Sequence, residues 1–231
     1  MKLLIVIPAY NEAIAIGAVL KKIPKKINGI KSIETVVVND GSNDNTAEVS
    51  RKGKATVIDH LLNMGVGAAT ITGIEYAKRN GADIVVTMDA DGQHNPADIE
   101  KLVKPIIGDK SDIVIGSRTK CIGKSCDMPW VKKAGNQLMN GMTFIFYRKW
   151  ISDTQSGYKA ISKKALTVIR LSLSGYEICS EIIGEASKRK LRIKEVPVQA
   201  IYTEYSKRKG QSILNAINIF IRLVTRSLMG S

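Results

Sequence analysis

No apolar run in the chain approaches the roughly 18–20 residues needed to cross a bilayer. The opening run Leu3–Ile7 is too short for a signal-peptide core and leads into proline and polar residues instead of a cleavage site. The expectation is a chain that is neither exported nor membrane-spanning. Aromatic residues make up only 5% of the sequence and no nucleic-acid motif occurs, so the stacking platforms of single-strand binders are not evident. The three cysteines, Cys121, Cys126 and Cys179, form no even framework and have no second pair at zinc-ligand spacing, which points to a reducing, cytosolic compartment. The first apolar run enters Pro8-Ala9-Tyr10-Asn11-Glu12 with no glycine-rich turn, against a dinucleotide-binding dehydrogenase. The G-x-S-x-G elbow of the serine hydrolases is also missing.

What is present is an ordinary globular composition, 231 residues with 44% apolar content. The formal charge of +14 is unevenly placed: residues 1–117 hold 14 basic against 14 acidic residues, and residues 118–231 hold 21 against 7. A basic half suits an anionic partner, although a lysine-rich solvated surface would give the same count. Apolar runs alternate with helical periodicity through the first half. Strands are expected at Leu3–Pro8, Thr35–Asn39, Thr56–His60, Asp83–Met88 and Ile113–Ser117, and helices at Ala13–Lys26, Asn43–Lys52, Gly67–Asn80 and Pro96–Ile107. Continuous apolar strands separated by helices predict an α/β fold, a mostly parallel sheet with helices on both faces. The pattern loosens from Thr119 to about Trp150. A helix over Tyr176–Arg189, a strand near Arg192–Val198 and a basic amphipathic helix from about Ser212 to Ser227 are expected to close the chain.

Ligands bind outside the carboxyl ends of the strands in such sheets. Met88-Asp89-Ala90-Asp91 ends a buried strand with two carboxylates one residue apart, able to share a face toward one hard cation, with Gln93 as a third oxygen ligand. Capping of the helix that begins near Pro96 is the structural alternative. Asp40, at the end of the second strand, is placed to accept hydrogen bonds from a nucleobase, or to form a turn with Gly41 and cap the next helix. Asp-x-Asp after an apolar strand also opens phosphatases with an aspartyl-phosphate intermediate, but those place it early and follow it with a small hydroxyl residue where Gln93 stands here. Glu177, Glu181 and Glu185 share one helical face, and a solvated or structural role is expected of them. His94 is expected either near the metal or as a plain loop residue.

Pro8-Ala9-Tyr10-Asn11-Glu12, Asn39-Asp40-Gly41-Ser42-Asn43-Asp44-Asn45-Thr46, Met88-Asp89-Ala90-Asp91-Gly92-Gln93-His94, Gly116-Ser117-Arg118 and Asp153-Thr154-Gln155-Ser156-Gly157-Tyr158 stand in the order and spacing of the family 2 glycosyltransferases. The chain most resembles the dolichyl-phosphate mannose synthase group and its relatives that charge polyprenyl phosphates with glucose or N-acetylglucosamine. The resemblance runs from about residue 3 to residue 212. It implies a GT-A type nucleotide-sugar-binding fold, with a catalytic domain over residues 1–211 and the amphipathic helix over residues 212–231. It also implies that Pro8, Tyr10, Glu12 and Asp40 hold the nucleoside, that Asp89, Asp91 and Gln93 bind Mg2+ or Mn2+, and that Arg118 sits near the phosphates. Lys207, Arg208 and Lys209 would close over the acceptor phosphate.

Asn39-Asp40 stands where many mannose synthases have two acids, and Asp-Thr-Gln-Ser-Gly-Tyr resembles the form in short relatives that use uridine-diphosphate sugars. UDP-glucose or UDP-N-acetylglucosamine is therefore favoured, with GDP-mannose still open. A phosphate-monoester acceptor, with a second pKa of about 6, is already largely dianionic at neutral pH and needs no general base. Asp153 is then expected to position donor or acceptor; a sugar-hydroxyl acceptor would instead need it as the base. A dolichyl or polyprenyl phosphate at the cytoplasmic face of a membrane suits the basic half, the apolar patch Met142–Tyr147 beside Arg148, Lys149 and Trp150, and the amphipathic C-terminal stretch. A core or dimer helix remains the alternative for that last segment.

Overall fold

A computed structural model describes residues 1–120 and 130–201. The elements follow in the order β1 (Lys2–Ala9), α1 (Ala13–Lys22), β2 (Ser32–Asn39), α2 (Thr46–Lys52), β3 (Thr56–Asp59), α3 (Val66–Arg79), β4 (Ile84–Thr87), a 3-10 turn (Pro96–Asp98) and α4 (Ile99–Ile107). The remainder is β5 (Ile113–Ser117), α5 (Trp130–Tyr147), β6 (Lys159–Ser162), α6 (Lys163–Val168), α7 (Ile178–Lys188) and β7 (Ile193–Pro197). The expected C-terminal helix and the basic run Lys207-Arg208-Lys209 lie outside the described residues.

Seven strands form one sheet in the order β3-β2-β1-β4-β6-β5-β7. β6 is antiparallel to both β4 and β5, and every other pairing is parallel. Alternation along β1 shows why its apolar run is unbroken: Leu3, Ile5 and Ile7 enter one core layer, Leu4 and Val6 the other, all without solvent exposure. Ile16, Val19 and Leu20 of α1 and Ile99, Leu102, Val103 and Ile106 of α4 cover the first face. Ile74 and Ala77 of α3, Ala165 and Leu166 of α6, and Ile178, Ile182 and Ile183 of α7 cover the second. Both faces are thus covered by helices, as the apolar strands require.

The sequence pattern had not marked β6, α5 or α6. β6 is only four residues long and opens on a buried lysine, Lys159, so neither length nor hydropathy announces a central strand. The buried side of α5 carries Asn136, Asn140 and Thr143 beside Met139 and Met142, and this polar content erases the apolar stripe by which a helix is read.

Candidate functional site

Because six strands run the same way, their carboxyl ends gather on one rim, and the start of antiparallel β6 joins them there. The loop after β1 is sewn to the loop after β2. Asn11 N–H donates to Ser42 Oγ at 3.0 Å, Glu12 N–H to Thr46 Oγ1 at 2.8 Å, Ala13 N–H to Asp44 Oδ2 at 3.1 Å, and Asn43 N–H to Asn11 Oδ1 at 2.9 Å. Asn11 holds a positive φ of 53° at this tight turn. Pro8 and Glu12 are therefore fixed within the rim, while Tyr10 projects from it, 43% exposed.

Asp40 is buried and already engaged. Its carboxylate accepts from Met64 N–H at 2.9 Å and Gly65 N–H at 2.8 Å, and His60 Nδ1 lies 2.8 Å from Oδ1. A carboxylate only accepts, so His60 carries its proton on Nδ1; in the neutral ring Nε2 takes the Thr72 hydroxyl at 3.0 Å. Gly65, at φ 95°, supplies a backbone geometry that other residues resist. Asp40 thus organises the loop between β3 and α3. His60 was not singled out from the sequence, where nothing couples it to Asp40.

Asp89 and Asp91 lie just beyond β4, both partly exposed. Burial raises the pKa of Asp89, opposed by the charges of Arg118 and Lys159. Burial also raises that of Asp91, and the neighbouring Asp89 adds to it. Two carboxylates one residue apart at this rim form a donor set suited to a hard divalent cation, whose charge would offset their mutual repulsion. Gln93 is spent on Asp91: its N–H donates to Oδ1 at 2.9 Å and its side-chain amide donates to Oδ2, so its nitrogen faces the acid. No cluster of three or more His, Cys, Asp or Glu side chains suited to a metal occurs among the described residues, so a cation held by Asp89 and Asp91 would need oxygens from a ligand or water.

Beneath this pair, His94 is buried and stacked on Tyr158, with ring centroids 4.7 Å apart and planes 15° from parallel. Its Nδ1 accepts from Asp89 N–H at 3.1 Å, which leaves the proton on Nε2, 3.6 Å from Asp89 Oδ2. Burial lowers its pKa to about 4, so His94 is a neutral prop for Asp89. Gly157 backs the same carboxylate: a Cβ there would lie 2.6 Å from Asp89 Oδ1, so any larger residue would displace that carboxylate. Lys159, fully buried, donates to Ser156 O, and Thr87 Oγ1 donates to Gly157 O at 2.7 Å. These two side chains pin the peptide groups on either side of Gly157.

Arg118 and Asp153, named separately from the sequence, form one unit. Arg118 donates from its backbone N–H at 2.9 Å and from Nε at 2.8 Å to Asp153 Oδ2, and from a terminal nitrogen at 2.8 Å to Oδ1. Burial alone would raise the pKa of Asp153, but the charge and hydrogen bonds of Arg118 outweigh it and hold the carboxyl below its ordinary value. Asp153 has no solvent exposure and is ionised. The structure brings together Asp89, Asp91, Gln93, Arg118 and Asp153; Asp40 anchors the neighbouring loop at the other side of the rim.

The Glycosyl transferase family 2 model matches residues 4–169. A UDP-N-acetylglucosamine–dolichyl-phosphate N-acetylglucosaminyltransferase from Methanococcus voltae is 40% identical over 239 residues, an alignment covering 95% of this chain and 94% of that protein. A dolichol-phosphate mannosyltransferase from Pyrococcus furiosus is 33% identical across 95% of this chain and 61% of its own length. Among solved structures, glucosyl-3-phosphoglycerate synthase from Mycobacterium tuberculosis, with Mn2+, UDP and glucosyl-3-phosphoglycerate, superposes with a TM-score of 0.71 at 19% identity, covering 99% of this chain and 79% of that one. That likeness carries the GT-A fold and nothing finer. With the sheet order, the acid pair after β4 and a family match over most of its length, the chain belongs to the family 2 glycosyltransferases.

Proposed function

We propose that the protein transfers a sugar, N-acetylglucosamine first among the candidates, from a UDP-sugar to the phosphate of dolichol or a related polyprenol at a membrane surface. The observation that carries this reading is the 40% identity, over nearly the whole of both chains, to the Methanococcus voltae enzyme whose name states that donor and acceptor. In this reading Pro8, Tyr10, Glu12 and Asp40 line the nucleoside side of the rim, and Lys207, Arg208 and Lys209 meet the acceptor phosphate.

Asp89 and Asp91 would hold Mg2+ or Mn2+, which supplies Lewis-acid neutralisation of the departing diphosphate. Arg118, its guanidinium oriented by Asp153, adds a fixed positive charge beside that leaving group. His94 holds the Asp89 backbone, and Gly157 leaves room for its carboxylate. The phosphate acceptor attacks as an anion, so no proton need be removed. Asp153 fits this scheme because its oxygens are spent on Arg118 and its pKa is lowered, the reverse of what a general base requires.

Support for the membrane surface comes from the outer side of α5 and the turn after it. Ile145 is 68% exposed and Trp150 63%, with Leu138 and Phe144 also exposed and Arg148 and Lys149 beside them. Apolar side chains rimmed by cations suit a boundary of anionic headgroups.

The test is transfer to a short polyprenyl phosphate with Mg2+ or Mn2+, comparing UDP-N-acetylglucosamine, UDP-glucose and GDP-mannose, with a chelated control. Formation of glycosyl phospholipid from UDP-N-acetylglucosamine, abolished by chelation, is the expected result. Transfer only to a free sugar hydroxyl would overturn the acceptor assignment, and preference for GDP-mannose would overturn the donor.

A further inference from the structure

Asp153 can aim Arg118 only if its own backbone is fixed, and that fixation comes from a helix the sequence pattern did not reveal. Asn140 of α5, 1% exposed, reaches both peptide groups that flank Asp153. Its Nδ2 donates to Ser152 O at 2.7 Å, and its Oδ1 accepts from Thr154 N–H at 3.0 Å and Thr154 Oγ1 at 2.9 Å. One side-chain amide thus stands in for a neighbouring β-strand, offering a donor and an acceptor to alternate sides of one residue. Asn136, one helical turn earlier, adds a second donor to Ser152 O at 3.2 Å. From the opposite side Glu195 of β7 accepts from Ser152 N–H at 2.9 Å and Ser152 Oγ at 2.7 Å.

Asn140 therefore sits at the start of a short chain of contacts: amide to the Asp153 backbone, Asp153 carboxylate to the Arg118 guanidinium. α5 packs against α7, so the amide is carried on a buried, supported element. A displacement of about 1 Å at a charge-stabilising group can cost on the order of 100-fold in rate. We propose that Asn140 is a positioning residue for sugar transfer, acting through Asp153 to set the Arg118 guanidinium beside the donor diphosphate. The proposal rests on the role given to Arg118 above.

The experiment is a double-mutant cycle on the full chain with Asn140→Ala, Arg118→Ala and the double variant, reading kcat and the donor KM separately, with UDP binding by calorimetry and melting temperature as folding controls. If the loss passes through Arg118, Asn140→Ala lowers kcat at least tenfold, shows the same kcat-against-KM split as Arg118→Ala, and costs no further rate once Arg118 is gone. Losses that multiply in the double variant, or an Asn140→Ala protein with unchanged kcat, overturn the proposal while leaving the proposed function standing. Arg118→Ala with full activity overturns the role of Arg118 itself, and this inference falls with it. Should Asn140→Ala not fold, Asn140→Asp runs through the same cycle: it keeps the acceptor for Thr154 and loses the donor to Ser152, and the same criteria decide.

Discussion

At the scale of single residues, the site is built from side chains that bond to one another. Asp153→Asn keeps the volume but gives up the charge that orients Arg118, and kcat is expected to fall about 100-fold, with no recovery at higher pH because no proton transfer has been lost. A steady-state pH profile checks this. A second pair lies away from the rim. Asp112 accepts from Arg192 N–H at 2.8 Å, Nε at 3.2 Å and a terminal nitrogen at 3.0 Å, and Lys164 Nζ approaches at 3.3 Å. The Arg192 hydrogen bonds, against some opposing burial, hold its pKa at about 2, below the ordinary 3.8. A depressed folded-state value contributes stability that is complete above the unfolded pKa and is lost as pH falls through the folded one. Melting temperature should drop between about pH 4 and pH 2, and Asp112→Asn should flatten that part of the curve. The motifs holding Asp89, Arg118 and Asp153 were legible in sequence. The ion pair was not, because the partners lie 35 residues apart and each was explained by a ligand.

At the scale of elements, α7 is held by acids on its inner face. Glu181 accepts from Ser172 N–H at 3.0 Å, Ser172 Oγ at 3.1 Å and Leu173 N–H at 3.0 Å, and Glu185 accepts from Arg170 N–H at 3.1 Å. Their spacing had allowed a solvated face; the structure buries Glu177, Glu181 and Glu185 and makes the latter two backbone anchors. The anchored segment in turn receives α3, whose Gly67 N–H donates to Ser174 O at 2.7 Å. A Cβ on Gly67 would lie 2.3 Å from Leu173 O, so glycine is what permits the approach. Glu181→Ala should cost about 2–3 kcal/mol by orphaning buried donors, lowering the melting temperature by about 5–10 °C. The structural alternative for the α7 acids is the one the fold adopts, and both α5 and α7 carry buried polar side chains whose partners lie in loops outside the helix, which helical periodicity does not reveal. On the outer side of α5 and the turn after it, Ile145→Glu combined with Trp150→Glu should reduce sedimentation with anionic vesicles several-fold while leaving UDP affinity unchanged.

At the scale of the whole molecule, the parallel sheet, its two covered faces and its functional rim followed from alternating apolar runs and helical periodicity. The strand order did not, since four residues opening on Lys159 give no sign of lying at the centre of a sheet. The charge is likewise a global property: the balanced first half carries β1 to β5, and the surplus lies in the second half with α5 and the segments after it. If that surplus serves an anionic surface, vesicle binding should weaken as salt rises from about 0.05 to 0.5 M, because screening shortens the reach of each charge to a few ångströms.

The place of β6 also bears on how the protein is made. β4 and β5 each pair with β6 and not with each other, so β5 has no strand neighbour until Lys159–Ser162 has been synthesised. Until then β3, β2, β1 and β4 can form a sheet with an apolar open edge at Ile84–Thr87, the kind of edge that invites pairing with another chain. The part of the rim built by β3, β2, β1 and β4 can thus take shape during synthesis, whereas the acid pair meets Gly157 and Arg118 only when one late, short strand closes the gap. For a ribosome-bound chain, synthesis of β6 is the step that covers the open edge of β4 and brings β5 into the sheet.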